Sequence, residues 1–115
     1  MTYRGSCHCG RIAFEVEGEL AHAMDCNCSY CSRKGSVLWF VPRDHFTLLT
    51  NDEDLASYSF GKKSIQYRFC PSCGVHAYGE GTDPTGKQMV AVNVRCLEDV
   101  NLDELTVQHF DGRAL

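Results

Sequence analysis

The chain has 115 residues, 43% apolar and 23% charged, with a formal net charge of −4. That length lies within the usual domain size of roughly 100 to 150 residues, so a single domain over residues 1–115 with a real core is expected. The acidic balance argues against nucleic acid as a partner, and the lack of an apolar run near the roughly 18 residues of a spanning helix argues against a membrane.

The first residues, Met1-Thr2-Tyr3-Arg4-Gly5, lead straight into Cys7-His8-Cys9-Gly10 with no apolar stretch of signal-peptide type. The expectation is a reducing, cytoplasmic setting. Residues 11–17 alternate as a strand does, and Glu17-Gly18-Glu19 turns the chain. A second cluster, Cys26-Asn27-Cys28-Ser29-Tyr30-Cys31, is followed by the basic pair Arg33-Lys34, and one helical turn is expected around residues 29–34. Strands follow at 37–41, 57–60 and 65–69, with turns at Pro42-Arg43-Asp44 and Phe60-Gly61-Lys62 and a short turn near residues 51–55. The third cluster, Cys70-Pro71-Ser72-Cys73-Gly74, precedes a strand-like run through His76. The last predicted strand is 89–94, ahead of Cys96 and a short turn at 102–105. The fold class is mainly β with antiparallel sheets. The basic pairs Arg33-Lys34 and Lys62-Lys63 are too short to track a phosphate backbone.

Gly81-Thr82-Asp83-Pro84-Thr85-Gly86-Lys87 resembles a phosphate-binding loop, but Gln88 stands where a serine or threonine would hold magnesium. A strand follows it where that motif needs a helix N-terminus. It reads as a hairpin turn.

Seven of the eight cysteines fall in the three clusters. A structural zinc takes four protein ligands, whereas a catalytic zinc usually takes three and keeps the fourth position for water or substrate. Gly10 and Gly74 each follow the second cysteine of a short-spaced pair and can adopt positive φ, turning backbone amides toward thiolates. This groups Cys7, Cys9, Cys70 and Cys73 as a closed, structural site. Cys26, Cys28 and Cys31 lie within six residues and form an open, catalytic one. Two zinc ions per chain are expected. A disulfide framework fits poorly without a secretory leader, and a redox Cys-x-x-Cys at Cys70 and Cys73 lacks a βαβ setting.

With all three clusters in view, the chain resembles the glutathione-dependent formaldehyde-activating enzyme family, which includes centromere protein V. The resemblance rests on Cys7-x-Cys9-Gly10, Cys26-x-Cys28-x-x-Cys31 and Cys70-x-x-Cys73-Gly74 and covers essentially the whole chain. It implies a β-tent fold similar to the Rab-accessory and methionine-sulfoxide-reductase B zinc proteins. It also implies a structural zinc on Cys7, Cys9, Cys70 and Cys73 and a catalytic zinc on Cys26, Cys28 and Cys31. The activity implied is that of a carbon–sulfur lyase on S-hydroxymethylglutathione or another small-thiol adduct, with glutathione or a similar thiol as partner. Arg33 or Lys34 is the candidate group for a substrate carboxylate.

Three readings of Cys96 stand open: a buried small apolar side chain, a fourth thiolate closing the second zinc, or the nucleophile of a thiol-based reductase. His76 and His109 are candidate proton shuttles, and His8 should point away from the metal. The alternative to an enzyme is a non-catalytic zinc module that binds a protein partner through its exposed sheet.

Overall fold

The computed structural model describes residues 1–60 and 65–114. Lys62-Lys63 and most of the expected turn at Phe60-Gly61-Lys62 lie outside the described residues. In chain order the strands are β1 (Thr2–Ser6), β2 (Ala13–Glu17), β3 (His22–Cys26), β4 (Leu38–Pro42), β5 (Phe46–Leu48), β6 (Ala56–Tyr58), β7 (Ile65–Phe69), β8 (His76–Thr82), β9 (Gln88–Asn93) and β10 (Thr106–Phe110). A single helical turn, α1 (Cys31–Lys34), and short 3-10 turns at Arg43–His45, Asp52–Asp54, Val94–Cys96, Leu102–Glu104 and Gly112–Ala114 complete the described chain.

The strands form two sheets, β1-β2-β5 and β10-β3-β4-β9-β8-β7-β6. Neighbouring strands are antiparallel except β10, which runs parallel to β3 and pairs Phe110 with Cys26. The mainly β expectation therefore holds, with a mixed rather than purely antiparallel larger sheet. Alternation decides which side chains meet between the sheets. Phe14 and Val16 of β2 and Tyr78, Val90 and Val92 of β8 and β9 are all essentially buried in one cluster. Phe14 stacks on Phe46 at 5.2 Å between ring centroids and meets Tyr78 edge-on at 6.3 Å, so the small sheet is seated on the large one through aromatic rings.

The loop once compared with a phosphate cradle joins β8 to β9 as a hairpin. Asp83 Oδ1 accepts from the Thr85 and Lys87 amides, both at 2.9 Å, and from Thr85 Oγ1 at 2.6 Å. The carboxylate turns the loop's amides inward and leaves no ring of donors for an anion.

Candidate metal centres and adjoining cavity

The first and third cysteine clusters occupy equivalent turns on different sheets. Cys7 and Cys9 sit between β1 and β2, and Cys70 and Cys73 between β7 and β8. Each turn closes in the same way: Cys7 N donates to Ile12 O at 3.0 Å, and Cys70 N to Val75 O at 3.0 Å. Gly10 and Gly74 have φ of 83° and 79°, the left-handed region that favours glycine. Their amides, however, donate to the carbonyls of Cys7 at 3.3 Å and Cys70 at 2.9 Å, not to sulfur. Amides that reach sulfur include those of Ile12, at 3.3 Å from Cys7 Sγ, and of Ser72 and Cys73, at 3.3 and 3.4 Å from Cys70 Sγ. The glycines shape the turn, and their neighbours supply the donors.

All eight cysteines are free thiols. The Cys7, Cys9, Cys70 and Cys73 sulfurs lie within 4.8 Å of one another. Cys7 Sγ is 3.7 Å from Cys9 Sγ, which is 3.5 Å from Cys70 Sγ. A tetrahedral ion with bonds of about 2.3 Å to sulfur sets its ligands about 3.8 Å apart, so the donor set fits such an ion. These spacings are far beyond a disulfide bond of about 2.05 Å. Burial raises the Cys73 thiol, but the Cys9 and Val75 amides and the bonds from Cys70 and Cys7 outweigh it and bring it down to about 6. Cys70 is also lowered, chiefly by the Cys73 amide. The Arg11 amide pulls Cys9 down, yet its thiol contacts with Cys70 and Cys7 and its desolvation push it up to about 11.

Cys26, the last residue of β3, Cys28 in the following turn, and Cys31, the first residue of α1, form a second cluster with sulfurs within 4.8 Å of one another. Here the donors come from within the cluster itself. Cys28 N lies 3.5 Å from Cys26 Sγ, and Cys31 N lies 3.3 Å from Cys28 Sγ. Burial pushes the Cys31 thiol up to about 11 against the pull of the Lys34 ammonium. For Cys28, burial acts upward but the bonds from Cys31 and Tyr30 leave it lowered.

The two basic candidates diverge. Arg33 turns back along its own helix, where Nη1 donates to Ser29 O at 2.6 Å in an exposed position. Lys34 turns inward: Nζ is 3.5 Å from Cys31 Sγ and 4.5 Å from the ring centroids of both Tyr30 and Tyr67. An ammonium over two aromatic faces and beside a cysteine sulfur is held by cation–π and charge attraction together. Burial lowers its pKa, with Cys31 opposing. Lys34, Tyr30, Tyr58, Phe69, Ser36 and His76 face a cavity of about 630 Å³. His76 is buried; Nδ1 lies 2.9 Å from Ser36 Oγ, and Nε2 has no hydrogen-bonding partner among the described residues.

Cys96 lies outside the three-thiol cluster. Its Sγ is 3.5 Å from His76 O and 3.6 Å from Asn93 Nδ2, and the thiols nearest it electrostatically are Cys7 and Cys73. Burial pushes it up to about 11, which keeps it protonated at neutral pH, unlike a reductase nucleophile. His109 bonds Asp25 at 2.6 Å and is largely exposed, and His8 is exposed. Tyr67, Ser36 and the residues that follow β10 were not singled out from the sequence. Tyr30 inside the second cluster was the one local signal for an aromatic wall.

Fold and sites define a mainly β protein with two cysteine clusters arranged to hold metal ions. Residues 2–110 match the sequence profile described as glutathione-dependent formaldehyde-activating enzyme. The chain belongs to the glutathione-dependent formaldehyde-activating enzyme family. It is also similar to a Rhodobacter sphaeroides protein of known crystal structure, with 30% identity over 91% of this chain and 99% of that one and a TM-score of 0.78. No helix among the described residues is long and apolar enough to cross a membrane.

Proposed function

We propose that the chain acts as one domain, a zinc-dependent carbon–sulfur lyase on an adduct of glutathione or another small thiol, in a reducing, cytoplasmic setting. The observation that carries this reading is a three-thiol cluster beside an aromatic cavity, with the Lys34 ammonium between them. Cys26, Cys28 and Cys31 would hold a zinc ion that, when bound, would supply Lewis acidity and affinity for a substrate thiolate. Zinc on Cys7, Cys9, Cys70 and Cys73 is structural.

In the cleavage direction a hydroxymethyl thioether loses its hydroxyl proton and forms a carbonyl. The carbon–sulfur bond breaks with its electron pair remaining on sulfur. Three thiolates around a divalent ion leave one net negative charge, and the Lys34 ammonium at 3.5 Å from Cys31 Sγ offsets it. That compensation keeps the site receptive to a further thiolate. The Tyr30 and Tyr58 rings give the organic part of the adduct an apolar wall, and the buried Ser36–His76 pair gives it a polar one.

The test is a native mass spectrum of protein purified without chelator, recorded with and without glutathione, followed by an assay of formaldehyde release from S-hydroxymethylglutathione. Two zinc ions per chain and a glutathione adduct that disappears in Cys28→Ser are expected. Two zinc ions with neither adduct nor turnover would sink the lyase reading and leave the non-catalytic zinc module.

A further inference from the structure

The chain beyond β10 returns to the three-thiol cluster. Phe110 O, at the end of β10, accepts from Asn27 N at 3.2 Å, and Asn27 stands between two of the cysteines. Its side chain is engaged on both ends: Nδ2 donates to Asp111 Oδ1 at 2.9 Å, and Oδ1 accepts from Arg113 N at 3.0 Å. Arg113 Nε donates to Asn27 O at 3.0 Å. Gly112, between these partners, lies directly against the cluster. A Cβ at this position would stand 2.5 Å from Cys26 Sγ, closer than real Cβ atoms approach, and a tight 3.1 Å from Cys28 Cβ. Space is what requires glycine here.

We propose that Asn27, Asp111 and Gly112 are positioning residues of the three-thiol centre. The turn at residues 111–113 clasps the peptide between Cys26 and Cys28, so both sulfurs are aimed at a common ion by groups that do not ligate it. Its backbone also covers the Cys26 side and restricts approach from there, leaving the side of Lys34 and Tyr30 for an incoming ligand. Ligand orientation by such surrounding contacts commonly governs metal affinity by about 10–100-fold. Each hydrogen bond in the clasp is modest and exposed, but four of them converge on one residue.

The inference rests on the reading that Cys26, Cys28 and Cys31 hold zinc. Its test compares the wild type with Gly112→Ala, Asn27→Asp and the exchanged pair Asn27→Asp/Asp111→Asn. Asn27→Asp sets two carboxylates against each other, and the exchange restores an amide–carboxylate bond of reversed sense. Zinc is counted by native mass spectrometry, its release to a chromophoric chelator is timed, and the cobalt-substituted proteins are compared by their thiolate-to-metal absorption. Gly112→Ala and Asn27→Asp should hold the second ion about 10–100-fold more weakly while retaining one tightly bound ion and the wild-type circular dichroism. The exchanged pair should return release to the wild-type rate. Wild-type release and an unchanged cobalt spectrum in both single variants would overturn the clasp, as would failure of the exchange to rescue. If Gly112→Ala does not fold, Asn27→Asp and its rescue decide the matter. A wild type that binds only one ion would instead overturn the metal reading of the cluster, and the clasp with it.

Discussion

His76 is 8% exposed in the cavity wall. Burial, with the Lys34 ammonium acting in the same direction, takes its pKa from 6.5 to about 3. Between those values the unfolded chain binds a proton that the folded chain does not, so this residue's contribution to stability is lost progressively as pH falls below about 6.5. From pH 6.5 to 5 the loss is about 2 kcal/mol. Acid also strips metal from thiolates, so the comparison is between wild type and His76→Gln. Urea melts should show the stability difference shifting by about that amount over this range, and a difference that stays flat would mean His76 is not held neutral.

At this scale each short-spaced cysteine run was legible because its spacing is local to the chain. The meeting of Cys7 and Cys9 with Cys70 and Cys73 spans 61 positions and was read only from the glycine that follows each pair. The direction of a basic side chain is not local either. Arg33 and Lys34 are adjacent on a four-residue helix, and only the positions of Tyr30 and Tyr67 decide which faces the cluster. The amides of Ile12 and Ser72 could not be named either, since both knuckles looked as though their glycines would serve.

Strands differed in how clearly they announced themselves. β7 was expected over residues 65–69 and spans Ile65–Phe69. β9 was shifted by one residue, and the short turns near 51–55 and 102–105 are 3-10 turns. β3 and β10 gave little warning. Their sequences, His22-Ala23-Met24-Asp25-Cys26 and Thr106-Val107-Gln108-His109-Phe110, carry few apolar side chains, and four of the five in β10 are exposed. β10, an edge strand with little to bury, shows no apolar period. β1 was obscured by Gly5, a residue that weakens strand readings. In the structure that glycine has a packing reason: a Cβ there would lie 2.5 and 2.8 Å from two atoms of the Phe14 ring and 3.0 Å from Cys96 O. Phe14 is fully buried and stacked on Phe46, so its ring has nowhere to move. Gly5→Ala should destabilise the protein by about 1–3 kcal/mol in urea melts, and a melt within error of wild type would contradict this packing.

For the molecule as a whole, the four-thiol cluster joins the two sheets. Cys7 and Cys9 come from a turn of the small sheet and Cys70 and Cys73 from a turn of the large one, with Cys9 and Cys70 separated by 61 positions along the chain. A structural zinc can contribute on the order of 10 kcal/mol to folding, comparable to a whole domain's net stability. Excess chelator should therefore abolish the near-ultraviolet circular dichroism, whereas Cys28→Ser, which touches only the other cluster, should keep it. Retention of that signal after both ions are removed would show that the aromatic contacts between the sheets suffice.

The parallel pairing of β10 with β3 has a consequence for the order of events during synthesis. Asn27 meets Asp111 across 84 positions, so the cysteines of the three-thiol cluster leave the ribosome long before the strand and turn that complete their surroundings. Contacts this distant in sequence form late. A nascent chain stalled before β10 would carry Cys26, Cys28 and Cys31 without the turn that sets their geometry.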